Sequence, residues 1–175
     1  ITAGMGGVLL SGGFLQSLLS PHQALVHDSR LLMGTIINLT VIAESEAQGL
    51  SAINATYAAM AQLTQLFDYR QPDTELTRLN KAGFIASPSP ELVNLLRKAV
   101  WHSELSGGAF DVTVLPVLEA YRSNRQPTDQ ERQLVDYRKI HIQDEQIQLM
   151  QPGMAVTLDA IAKGRIVDGG VSQLK

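Results

Sequence analysis

The chain has 175 residues, 45% of them hydrophobic and 18% charged, with a net charge of −3. That balance suits a globular chain with a core, excludes an intrinsically disordered one, and offers no basic face for a nucleic-acid partner. With no cysteine, a disulfide framework, a thiolate metal site and a cysteine nucleophile are excluded as well, and a lipoprotein is not expected.

Residues 1–27, ITAGMGGVLLSGGFLQSLLSPHQALVH, contain no Asp, Glu, Lys or Arg and are rich in Gly, Leu and Ser. Five glycines and polar breaks make the stretch a poor permanent membrane helix. It reads as the weakly hydrophobic core of an export signal; a small-residue helix packed in a core is the alternative. Residues 1–29 are therefore set apart as export segment and linker, and the folded domain is expected over 30–175.

From Thr35 the pattern is that of a half-buried strand, with Ile37, Leu39, Val41 and Ala43 alternating against Asn38 and Thr40. In the following segment Leu50, Ile53, Tyr57, Met60, Thr64 and Phe67 recur three and four apart, which is one face of a long helix. On that stripe Tyr57 and Met60 read as core. Pro72 stops the helix, and Thr74 reads as the cap of a single helical turn beyond it. A second helix starts with Ser89 as cap, Pro90 at its first position and Glu91 in its first turn. Leu92, Leu95, Leu96 and Ala99 form its inner face, and Gly107 and Gly108 end it. Short helices are expected in VTVLPVLEAYR and PTDQERQLVDYR, a β-hairpin from KIHI and IQLM, a short strand at AVTL (155–158), and a helix from Asp159 onward. The mixture predicts an α+β fold with a mixed sheet and packed helices.

Three places could carry chemistry. In SGGAFDVTVLP (106–116) the paired glycines let backbone approach a ligand, and Ala109 keeps the surface shallow. Phe110 would anchor the turn in the core. Asp111 either holds an amino or hydroxyl group of a ligand or caps the helix that follows. In VTLDAIAKG (156–164) a strand-to-helix turn with Thr157 and Asp159 is a natural place for phosphate, whereas Asp159 and Lys163 also have the spacing of an ordinary surface ion pair. At Met33–Gly34 the thioether could lie against a flat aromatic ligand, or the pair could simply start a strand. Walker, GxSxG, HExxH and GxGxxG motifs are absent, and the scattered His22, His27, His102 and His141 argue against a histidine metal cluster.

Taken in order, MGT, PDTELTRLN, SGGAFDVTVLPVL and TLDAIAKGRIVD resemble the ApbE family of FAD:protein FMN transferases, over roughly Leu32 to the last residue. The resemblance implies an exported, Mg2+-dependent enzyme acting in the periplasm or at the outer face of the inner membrane. It implies cleavage of FAD, transfer of FMN to a Thr or Ser hydroxyl of an acceptor protein, and release of AMP. Acceptors would be subunits of membrane redox complexes. Met33 then matches the residue beside the flavin, Ala109, Phe110 and Asp111 the segment that holds FAD, and Lys163 a cofactor-contacting position. Ala160 matches a position that helps hold the metal through its backbone carbonyl. No residue is assigned as catalytic.

The chain departs from the family pattern in three ways. Thr157 stands where many members have an acid, with Asp159 two positions later. The family's aromatic residue before the PDSELSRLN-like motif falls at Arg70, leaving Tyr69 one position away as a flavin-stacking candidate. The family's domain also continues past the motifs found here, through glycine-rich strands and an acid–threonine metal motif, so the chain corresponds to its N-terminal portion. Two other functions fit the same residues: an FAD pyrophosphatase yielding free FMN and AMP, and a non-catalytic flavin-binding or maturation protein of a periplasmic redox system.

Overall fold

The computed structural model describes residues 2–3, 23–32 and 34–174. Most of the proposed export segment lies outside these residues, as does Met33. The chain divides into two compact units, one of Ile1–Thr64 with Ile166–Lys175 and one of Gln65–Arg165. The class is α+β. Every strand pairing among the described residues is antiparallel, and the strands form two three-stranded sheets where the sequence suggested one mixed sheet.

In the first unit β1 (Thr2–Ala3), β2 (Ala24–Leu32) and β3 (Thr35–Ala43) make a sheet in the order β1-β3-β2. β3 has the expected alternation, with Leu39, Val41 and Ala43 buried and Asn38 and Thr40 exposed. β2 begins at Ala24, inside the stretch that the sequence set apart, and pairs with β3 from Ala24↔Ala43 to Leu32↔Thr35. A run such as VHDSR has little hydrophobic alternation of its own. Its extended form follows from the partner strand, which supplies the ladder.

Helix α1 (Glu46–Phe67) buries Ile53, Tyr57 and Met60, as its periodicity predicts. Leu50 is instead 44% exposed, and the buried position in that turn is Gly49. A Cβ at Gly49 would stand 2.4 Å from Val26 Cγ2 and 3.0 Å from Val26 Cβ. The helix can approach β2 only where no side chain intervenes, so the contact stripe is shifted by one residue. Further along, the Tyr57 hydroxyl donates to the Ile37 carbonyl at 2.7 Å, joining helix to strand, while the Arg30 guanidinium covers its ring at 4.4 Å.

In the second unit α2 (Glu75–Ala82) follows the Thr74 cap, whose hydroxyl accepts from Thr77 N, and ends at Gly83 with φ 68°. It runs eight residues, longer than the single turn expected. Helix α3 (Pro90–Leu105) has the predicted Ser89 cap and inner face. Its end is a Schellman motif: Gly108 N–H donates to Ser103 O, Gly107 N–H to Glu104 O, and both glycines have positive φ. A 3-10 turn (Val112–Val114) leads into α4 (Leu115–Arg122), and α5 (Asp129–Gln133) follows. The predicted hairpin is present as β5 (Ile140–Ile142) and β6 (Gln146–Leu149), with an unpredicted third strand, β4 (Phe84–Ala86), on β6. Helix α6 (Asp159–Val171) begins in this unit.

The strand expected at Ala155–Leu158 does not form. Its backbone partners come from elsewhere. The Asn80 side chain donates to Val156 O at 2.9 Å and accepts from Val156 N at 2.7 Å, and Thr157 N donates to Val112 O at 2.8 Å. The segment reads as a strand by residue type, yet a side-chain amide and one loop carbonyl replace the ladder.

Substituting Gly49→Ala should lower stability by about 1–3 kcal/mol through overpacking against Val26, outweighing the ~1 kcal/mol that alanine gains in helix propensity. Gly164→Ala in α6, where a Cβ meets nothing within 4 Å, should be neutral or mildly stabilising. Denaturant midpoints of the two variants measure the contrast. At α5, hydrogen bonds from Arg125 and from the Thr128 backbone hold the Glu131 carboxyl down at about 2. A carboxylate with a depressed folded-state pKa favours the fold above its unfolded value and loses that contribution as pH falls toward 2. NMR titration should therefore show Glu131 still ionised near pH 3.5, and Arg125→Ala should move its midpoint upward.

Candidate functional site

Every sequence-predicted site residue except Met33 belongs to the Gln65–Arg165 unit. Three of the four motifs meet there on one short backbone segment. PDTELTRLN ends in Asn80, on the same face of α2 as the buried Leu76, and Asn80 pairs with both backbone groups of Val156. The next residue, Thr157, is joined through its N–H to Val112, immediately after Asp111. Residues far apart in the chain are thus fixed around 156–157 by three hydrogen bonds.

Asp111 is engaged on both oxygens. One accepts from Thr113 N at 2.8 Å and Thr113 Oγ1 at 2.6 Å; the other accepts from Tyr137 N at 3.0 Å. Thr113 Oγ1 in turn accepts from Asp136 N at 2.8 Å. The capping role is therefore present, and the same carboxylate also ties the turn to residues 136–137. Ala109 is exposed and Phe110 half-buried, its ring edge-on to His102 at 6.4 Å. The Phe110 ring thus lines the turn rather than filling the core, because the Ser106 hydroxyl accepts from its N–H and holds it at the helix end.

Thr157 is 7% exposed, and its Oγ1 accepts from Asp159 N at 3.3 Å, which starts α6. An acid in the first turn of a helix complements the dipole. The Asp159 carboxylate is engaged by two arginines: it bonds Arg70 closely and lies 3.7 Å from Arg122. The expected Asp159–Lys163 pair is not made, because the guanidiniums offer forked donors that an ammonium one turn away does not. Lys163 is exposed in α6 and Ala160 lies in its first turn.

Tyr69 and Arg70, the two candidates for the family's aromatic position, work as a pair. The Arg70 guanidinium stacks on the Tyr69 ring at 4.6 Å and bonds Asp68 at 2.9 Å. Arg122 lies 5.7 Å from the ring centre, bonds the Tyr69 hydroxyl and reaches Glu119 at 2.7 Å. The result is a partly exposed, charged surface built from loop 68–73, α4 and the start of α6. Sequence reading missed Asn80 and Arg122. Asn80 carries a signal, a polar amide four residues after the buried Leu76; Arg122 carries none.

Magnesium takes oxygen ligands, usually with one or two carboxylates. Among the described residues no group of three His, Asp or Glu side chains gathers as a metal cluster. Asp159, next to Ala160, is committed to Arg70 and Arg122.

Asp111→Ala should cost about 1–3 kcal/mol, since it leaves the N–H groups of Thr113 and Tyr137 without their acceptors. Asp111→Asn should recover part of this, because an amide oxygen can still accept from Thr113. Urea midpoints measure both.

The ApbE family model matches residues 33–175, a span that includes all four motifs. No curated protein matches the chain. Among solved structures, the flavin transferase ApbE from Vibrio cholerae superposes with a TM-score of 0.77 at 25% identity, over 87% of this chain and 53% of its own. The ApbE protein from Thermotoga maritima gives 0.74 at 21%, over 86% and 52%. The apo flavinyl transferase ApbE from Pseudomonas stutzeri gives 0.75 at 18%, over 89% and 54%. The last two likenesses speak for the fold alone. This chain spans about half the length of each of these structures. By its motifs, its fold and the family match, the chain belongs to the ApbE family.

Proposed function

We propose that the chain forms part of the flavin site of an FAD:protein FMN transferase. The observation that carries this reading is the meeting of three shared motifs on Val156–Thr157. It brings an open turn at Ala109–Phe110 and the start of α6 into one fixed framework. On this reading the Tyr69 ring and the Arg70 guanidinium suit an aromatic ring system, and exposed Lys163 supplies charge for a diphosphate. Asp111 serves the site by holding the turn, its own oxygens being engaged by Thr113 and Tyr137.

The reaction is an in-line displacement at the FMN-side phosphorus of FAD. The acceptor's Thr or Ser oxygen forms the new P–O bond, the bond to the AMP phosphate breaks, and the hydroxyl proton is released. Placing hydroxyl and phosphorus in line is the main task of the protein. The acceptor would be a subunit of a membrane redox complex, met in the periplasm or at the outer face of the inner membrane. The uncharged residues 4–23, ahead of β2, support export.

The test uses the full-length protein with FAD and magnesium, with and without an acceptor domain bearing a Thr. Transfer predicts AMP together with an FMN-sized mass gain on the acceptor. AMP without that gain would replace the reading with a pyrophosphatase. Bound FAD without AMP would leave a flavin-binding protein.

A further inference from the structure

We propose that Asn80 is a positioning residue of the flavin site, an inference that rests on the flavin-transfer reading above. Asn80 would touch neither flavin nor acceptor. It acts through Val156, whose backbone it pairs at 2.9 and 2.7 Å across 76 positions of sequence.

Val156 is 0% exposed, and its segment has no strand ladder. The next links run directly to residues of the site. Thr157 N binds Val112 O at 2.8 Å, Thr157 Oγ1 accepts from Asp159 N at 3.3 Å, and Leu158 O receives the Ala162 N–H at 2.7 Å. Asn80 therefore determines where α6 begins relative to the Ala109–Asp111 turn. An amide is suited to this: at one end it carries the donor and acceptor that a neighbouring strand would offer. An aspartate has nearly the same shape but, when ionised, has no proton for the Val156 carbonyl. A small displacement at a reacting centre can cost on the order of a hundredfold in rate.

The test compares Asn80→Asp and Asn80→Ala with Leu96→Ala, which removes fully buried packing from α3 at a position outside the three motifs. All are assayed in the full-length protein at a temperature where circular dichroism shows them folded. Positioning predicts that both Asn80 variants raise the FAD dissociation constant or lower kcat by roughly ten- to a hundredfold and alter the absorption bands of bound FAD. Leu96→Ala should change only the melting temperature. If the Asn80 variants bind and turn over FAD like wild type, or lose activity only in step with their unfolded fraction, the proposal is overturned. Hydrogen exchange of the wild type gives a second measurement should both variants fail to fold. FAD should slow exchange at the Val156 and Thr157 amides more than in the β5–β6 hairpin, and equal effects would also overturn it. Wild-type protein that does not bind FAD would sink the flavin reading itself, and this inference with it.

Discussion

The second unit depends on a side chain acting as a strand. Val156 is buried with an N–H and C=O that no strand ladder pairs, and burying either group without a partner is costly. Asn80 meets both from α2. Once that pair is made, residue 157 is aligned with the Val112 carbonyl and α6 can start at Asp159. A ladder would have required a continuous partner strand; a single amide leaves room for two different elements to meet the same segment.

The neighbouring turn is built on the same principle. One carboxylate, Asp111, accepts from two backbone N–H groups and a hydroxyl, and the Schellman motif at Gly107–Gly108 sets the direction in which the chain enters it. The Asp111 bonds are partly shielded from water and so contribute to a defined geometry. The Tyr69–Arg70–Arg122–Asp159 surface differs. Its arginines are nearly half-exposed, where ion pairs contribute about 0–1 kcal/mol and are screened by salt. It is therefore the part of the unit that can rearrange at small cost.

Local pattern made much of the fold legible. The alternation in β3, the apolar stripe of α1, the Thr74 and Ser89 caps, the glycine end of α3 and the β5–β6 hairpin all rest on interactions within a few residues of one another. The same local chemistry made Asp111 readable as a cap. Tyr57 and Met60 could be read as core because three- and four-residue spacing already places them on the buried face.

Composition and periodicity thus determined the α+β class and most helix ends, and the order of four short motifs determined the family. Tertiary structure decided the rest. It made a strand of Ala24–Leu32 through its partner β3, and moved the α1 contact from Leu50 to Gly49 because Val26 leaves no space for a Cβ. It kept Ala155–Leu158 out of any sheet and directed Asp159 to Arg70 and Arg122. The physical reason is the same in each case. These outcomes depend on which distant group supplies a hydrogen bond, a charge or an empty volume, and spacing along the chain does not carry that information.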